Sequence, residues 1–379
     1  MIFSTQKSDL LKSVGHCVKI IDKKSPLPIL NQLMIKTSDE GLFLSATDMD
    51  LGILCKIPAS ISDHGSICVS GHLLFEILKK LPDGSSVNFK FNNERTQLIV
   101  DSGRSKFSIA CMDSQNFPEL IQSEYDSTFM ISPEILKDMI DSTQFCASHD
   151  ETKYNMSGIY FHSVTTDQGE KIRTVASDLC RLACCEYDAP EGSQGMPQVI
   201  LSKKTVSEVG KLIESTKSEI QVSLSSAKVE FVVKDERSEY TFISRNIDAS
   251  YPSYESALEL KSDQIITADR KQFSECVDRV SIVVASDKVN VIKLFVCQNE
   301  AKLSAVSQDI GSAQEEIEVD FPYDNAIEVC FNSRFFYEIT QQIKETEVEV
   351  MITDGDESCI IIKPVNNSKK MYVLMPMDV

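Results

Sequence analysis

The chain has 379 residues, room for about two or three domains. Apolar residues make up 42% and charged residues 25%, and 38 Lys and Arg face 57 Asp and Glu, a formal net charge of −19. The apolar content excludes a disordered chain, and the acidity excludes a protein that gathers nucleic acid by bulk positive charge.

The first residues, Met1-Ile2-Phe3-Ser4-Thr5-Gln6, have no basic start and no long apolar stretch, so no secretory leader is expected. No apolar run approaches the ~18 residues that span a bilayer. Twelve cysteines lie between Cys17 and Cys359 without a CxxC pair, and the five histidines form no HxxxH or HExxH. Cys180, Cys184 and Cys185 match no zinc spacing. These features predict reduced, buried thiols in a cytoplasmic protein with no metal and no other cofactor.

One pattern then recurs three times along the chain, about 120–135 residues apart. It opens with an amphipathic helix: Leu10, Leu11, Val14, Cys17, Val18 and Ile21 share one face. Ile135, Leu136, Met139 and Ile140 repeat that face behind Ser132 as N-cap and Pro133 at the first helical position. Phe273, Cys276, Val277, Val280 and Val284 repeat it again behind Asp269, with Gln272 three residues on. A strand ending in a small polar turn follows each time: Leu42–Asp48, Ile172–Asp178 and Leu303–Asp309.

A second helix comes next, with faces Leu73-Leu74-Ile77-Leu78-Leu81, Val206-Val209-Leu212-Ile213 and Phe335-Phe336-Ile339-Ile343. Strands 86–91, 219–224 and 347–352 follow, and strands 107–111, 240–244 and 371–375 close the units. The first two exits are Phe117-Pro118-Glu119-Leu120 and Tyr251-Pro252-Ser253-Tyr254. The pattern predicts three α+β units with two helices and about eight strands each, over 1–124, 125–255 and 256–379.

Several motifs also carry a resemblance. Leu27-Pro28-Ile29-Leu30, Ala46-Thr47-Asp48, Ser102-Gly103-Arg104-Ser105-Lys106-Phe107, Phe117–Leu120, Thr143-Gln144-Phe145, Ser177-Asp178 with Arg181-Leu182, and Met375-Pro376-Met377 occur in a telling order. Together they resemble the bacterial DNA sliding clamps, the beta subunits of the DNA polymerase III holoenzyme. The resemblance implies three similar clamp domains, each with two helices packed on antiparallel sheets. It implies a homodimer closed head to tail as a six-domain ring, with twelve helices lining the hole. The implied function is that of a processivity factor, which encircles duplex DNA without sequence specificity. The implied partners are the polymerase III alpha subunit, the clamp-loader complex, and other polymerases and repair proteins that use a short linear peptide.

A ring of this kind asks for a lining less acidic than the rest. Six helical segments (7–24, 72–80, 134–153, 203–217, 269–288 and 333–344) together carry +4, which leaves −23 elsewhere, although segment 134–153 alone is −3. Lys12, Lys19, Lys24, Lys79, Lys80, Lys203, Lys204, Lys211 and Arg279 are candidates for loose phosphate contacts. By similarity to the family, Lys24, His149, Lys153, Tyr154, Lys203 and Lys204 sit at DNA-facing positions.

The resemblance also implies an apolar pocket for a Gln- and Leu/Phe-bearing peptide. The matching positions are Met156, Ser177, Leu179, Cys180, Arg181, Leu182, Pro252, Val289, Asn332, Phe335, Val373, Met375, Pro376 and Met377. Leu179-Cys180 stands where the family commonly has Gly-His, and Asp378-Val379 where it often has a basic residue and Leu. At the ring seam, Leu73, Leu74 and Phe107 would face Val283 and Val284, with Arg104 and Lys106 near Glu315 and Glu316.

No GxSxG elbow, P-loop, GxGxxG or kinase signature is present, and Thr353-Asp354-Gly355-Asp356-Glu357 lacks EF-hand spacing. The chain is therefore expected to be non-catalytic. The other reading of the same residues is a monomeric three-repeat adaptor that binds peptides without encircling DNA.

Overall fold

The computed structural model describes residues 1–118, 124–214, 216–260, 262, 264–353 and 358–377. Glu119-Leu120 of the first exit motif, residues 354–357 of the acidic turn, and Asp378-Val379 lie outside them. The helices are α1 (Lys7–Ile20), α2 (Gly71–Lys80), α3 (Pro133–Thr143), α4 (Lys203–Ile213), α5 (Glu255–Glu259), α6 (Arg270–Ser281) and α7 (Ser333–Gln342). Two long helices fall in each repeat, with nine, eight and eight strands among the described residues.

Side chains start these helices where polar residues precede an apolar face. Ser70, Ser132, Ser202 and Asp269 accept from the backbone N–H three residues on, and Asn332 accepts from Arg334 and Phe335. Such caps contribute about 1 kcal/mol each. The apolar face predicted to run to Val284 leaves α-helical geometry after Ser281 and finishes as a 3-10 turn, Ile282–Val284.

The chain packs as two compact units, Met1–Lys137 with Pro190–Asn246, and Asp138–Ala189 with Ile247–Val379. In the first unit the strands follow the order 127–131, 220–224, 228–234, 239–245, 51–57, 41–47, 33–38, 65–69, 105–112, 97–102, 86–92, 2–6 and 60–63. All of these pairings are antiparallel. Helix α1 lies on strands 41–47 and 51–57 and beside α2. A Cβ at Gly15 would stand 3.2 Å from the Phe75 ring, so the small residue lets the two helices approach.

The second unit holds strands 158–166, 169–177, 181–188, 370–374, 360–364, 347–352 and 265–269 in that order. A separate four-stranded sheet runs 311–318, 300–307, 291–297, 327–332. Under α6 and α7, the Phe336 ring stands 4.8 Å from Phe273 and 5.0 Å from Phe331.

One joining rule recurs in both units. The last strand of repeat 2 pairs antiparallel with strand 51–57 of repeat 1, Ser244 opposite Leu51. The last strand of repeat 3 pairs antiparallel with strand 181–188 of repeat 2, Leu374 opposite Arg181. The equivalent strands left over are 105–112 of repeat 1 and 311–318 of repeat 3. Residues 105–110 pair only with 97–102, and 311–318 pair only with 300–307, among the described residues. Each leaves a row of backbone donors and acceptors without a strand partner.

Candidate partner-binding site

The site begins at the turn Ser177–Arg181, where strand 169–177 ends and strand 181–188 begins. Ser177 Oγ donates to Arg181 O (2.8 Å) and accepts from Leu179 N–H (3.1 Å). Asp178 Oδ1 accepts from the Cys180 and Arg181 N–H groups. These bonds hold Leu179 at φ 77°, a left-handed conformation that a branched side chain seldom adopts, with its apolar tip 58% exposed. Repeat 1 has the same hydrogen bonds from Thr47 and Asp48, and Met49 at φ 84°.

Beside this turn lies a cavity of about 170 Å³. Met156, Ser177, Leu179, Arg181, Leu182, Pro252, Val373 and Met375 line it, eight of the positions named from sequence. Leu182 and Val373 face each other across the strand pair and also belong to the core beneath. Tyr251, Ser253, Tyr254, Ser256 and Ala257 complete the lining. Sequence reasoning passed over these five, although the Tyr-Pro-Ser-Tyr exit motif marked the spot.

Arg181 is the only cation among the described lining residues, and all three of its guanidinium nitrogens donate. Its guanidinium meets Asp178 at 3.1 Å and Glu338 at 2.5 Å, and donates to Phe145 O at 2.9 Å. It lies against the Phe335 and Phe145 rings and is 6% exposed. Burial alone would raise the Glu338 carboxyl, but hydrogen bonds from Arg181 and Arg334 outweigh it and hold the group below the usual range.

Tyr254 forms the opposite wall. Its hydroxyl donates to His162 Nε2 (2.7 Å) and accepts from Arg173 Nη1 (3.3 Å). A carbonyl only accepts, so His162 Nδ1 carries the hydrogen that reaches Ser163 O (3.0 Å). Burial, helped by the Arg173 charge, holds the imidazole below its ordinary pKa, as this neutral tautomer requires. Tyr251 stacks on Tyr160 at 4.8 Å with the rings 2° from parallel. The tail closes the site: Met375 N–H bonds Cys180 O and Met377 N–H bonds Cys330 O.

The other named positions do not line the cavity. Cys180 is exposed on the turn, Asn332 caps α7, Phe335 covers Arg181, Val289 is 44% exposed, and Pro376 and Met377 are half-buried beyond Met375. Among the described residues, no three His, Cys, Asp or Glu side chains converge as metal ligands.

Family models for the DNA polymerase III beta subunit match nearly the whole chain: the N-terminal domain at residues 1–121, the central domain at 130–253 and the C-terminal domain at 256–378. The chain belongs to the DNA polymerase III beta subunit family. It is 32% identical over 379 residues to the beta sliding clamp of Caulobacter vibrioides, and 28% identical over 382 residues to that of Escherichia coli K12, with all of both chains covered each time. A sliding clamp from Bartonella birtlesii, solved bound to griselimycin, superposes over all of both chains with a TM-score of 0.93 at 32% identity. A beta sliding clamp from Caulobacter crescentus also reaches 0.93 at 32% identity, covering 100% of this chain and 99% of that one.

In this beta subunit the basic candidates divide into two groups. Lys12 pairs with Asp235, Lys79 with Glu76, Lys204 with Asp48, Lys211 with Glu208, and Arg279 with Glu315 and Glu275. The Lys203 ammonium is buried, which removes it from the phosphate-contact group. Lys19, Lys24 and Lys80 are exposed with no ion-pair partner among the described residues, and His149 and Tyr154 are exposed near half-buried Lys153. Pairing with a neighbouring carboxylate lowers the field a lysine offers to a phosphate.

The seam candidates divide as well. Leu73 is 48% exposed, whereas Leu74 and Val284 sit in the core at 0% and 2% and cannot meet a second chain. Helical periodicity turns Leu74 inward, and the 3-10 turn does the same for Val284. Ile282, at 69% exposed, is the apolar residue that the turn presents instead. Phe107 and Val283 are half-buried, Arg104 and Lys106 are exposed, Glu315 is held by Arg279, and Glu316 lies 3.7 Å from Lys302.

Proposed function

We propose that this chain is a non-catalytic sliding clamp: two copies close head to tail around duplex DNA and tether polymerases and repair proteins through the 177–182/251–257/375 cavity. The observation that carries the reading is the joining rule. Each repeat's last strand pairs with the strand after the turn of the repeat before it, and the two strands left over, 105–112 and 311–318, are complements. A second copy supplies the missing partner at both ends, and a heterologous contact of this kind forms a closed ring when its rotation is right. Three clamp domains over 1–124, 125–255 and 256–379 are the units of that ring. A ring holds its partners at high effective concentration on DNA without tight DNA affinity.

Lys19, Lys24 and Lys80, with His149, Lys153 and Tyr154, are the residues we assign to loose contact with the DNA backbone. A cytoplasmic location accords with work on a chromosome, and no helix among the described residues is long and apolar enough to cross a membrane.

The deciding experiment loads the protein, with a cognate clamp loader and ATP, onto nicked circular DNA and onto the same DNA linearised. Retention on the circle and loss from the linear form is expected. Equal retention on both would overturn the topological reading, and a monomer at micromolar concentration in sedimentation would favour the peptide-binding adaptor.

A further inference from the structure

We propose that the cavity selects an apolar peptide flanked by basic residues and discriminates against one flanked by acidic residues; this rests on the peptide-binding reading above. Three observations point the same way. Among the described lining residues the only cation, Arg181, is balanced by Asp178 and Glu338 and is 6% exposed, so it offers little attraction to a carboxylate on the incoming peptide. The segment 247–260, which gives Tyr251–Tyr254, Ser256 and Ala257 to the lining, also carries Asp248, Glu255 and Glu259, all exposed, and no lysine or arginine.

The third observation is that Glu255 is positioned. One oxygen accepts from Ser253 Oγ (2.9 Å) and from Tyr254 N–H (3.0 Å), which fixes the carboxylate beside two lining residues. The neighbouring turn leaves the balance acidic, because Lys153 is accompanied there by Asp150 and Glu151. The apolar floor supplies area without charge preference, so the rim decides between flanks of opposite sign. An acidic flank meets net repulsion, whereas a basic flank gains attraction that salt screens.

The test measures fluorescence anisotropy of three labelled peptides on the full-length protein. Each has the core Gln-Leu-Ala-Leu-Phe, flanked on both sides by Lys-Lys, Ser-Ser or Glu-Glu. The Lys-flanked peptide is expected to bind about fivefold tighter than the Glu-flanked one at low salt, the effect of a few rim charges, and the gap should close as salt rises. Replacing Glu255 and Glu259 by Gln should remove most of the gap, read as the ratio of Lys-flanked to Glu-flanked affinity. Equal affinities, tighter binding of the Glu-flanked peptide, or an undiminished gap in the double variant would overturn the selectivity and leave the pocket standing. Failure of all three peptides to bind would overturn the peptide-binding reading itself.

Discussion

Leu179 and Arg181 stand two residues apart in one turn, and they do opposite things. Leu179 accepts a left-handed backbone so that an apolar tip can stand at the cavity mouth. Replacing it by Gly should relieve about 1 kcal/mol of strain, less what the freer unfolded chain takes back. Stability should hold or rise in a urea titration while affinity for the Ser-flanked peptide falls, so the two readouts separate strain from binding. Arg181 instead ties the cavity to α7 through Glu338. Exchanging it for Met leaves two half-buried carboxylates without this partner, Glu338 keeping only Arg334, and should cost about 3 kcal/mol, seen as a lower urea midpoint. The type of each residue could be read from the sequence. That Arg181 is balanced by Glu338 could not, because Glu338 lies 157 positions away and only packing brings it near.

Elements are held to one another by a few shared polar groups. Asp138 on α3 receives Lys370 Nζ (2.9 Å) from the last strand, Lys344 Nζ (3.0 Å) and the Tyr187 hydroxyl (2.9 Å). Burial alone would raise this carboxyl, but the hydrogen bonds from Lys370 and Lys344 outweigh it and its pKa lies below the ordinary value. A carboxyl depressed in the folded state contributes stability that is fully present above its unfolded pKa, about 4, and is lost as pH falls through the folded value. Asp138→Asn should therefore lower the urea midpoint at neutral pH and flatten its fall below pH about 4. The tail is a second such element, since Met375 and Met377 are held through their backbone N–H groups. Met375→Ala should keep the tail in place and the dimer intact, and weaken peptide binding about tenfold by removing one wall of the cavity. The long helices and the nine strands named from local pattern form where it put them, to within about three residues at their ends, and the pattern did not place the other strands. In the exit segment 251–257 the sequence marks only Pro252 for the pocket, because nothing local says that the flanking aromatic rings turn back to wall it.

For the whole molecule, the two open edges make a definite demand. We infer that the seam carries over the pairing made by the first residue of the receiving strand, Leu51 with Ser244 and Arg181 with Leu374, which would set Gly311 opposite Cys111 of a second copy. Counting along the antiparallel strands then places Lys106 opposite Glu316, and Arg104 opposite Glu318. Reversing Arg104 and Lys106 to Glu should set like charges across the seam and weaken dimerisation about tenfold in sedimentation equilibrium. Reversing Glu316 and Glu318 to Lys in the same chain should restore it. A double reversal that leaves the dimer intact would reject this register.

The sequence by itself determined the threefold repeat, the helices with their caps, the family, and a charge of −19 concentrated outside the helices. Those properties are local or additive, so they survive without knowledge of contacts. Tertiary structure alone decided which lysines remain unpaired, that Leu74 and Val284 belong to the core, and that Ile282 stands out. It also decided that two strands far apart in the chain are left without partners. Each of these depends on which distant groups come within a few ångströms of one another, and no spacing along the chain encodes that.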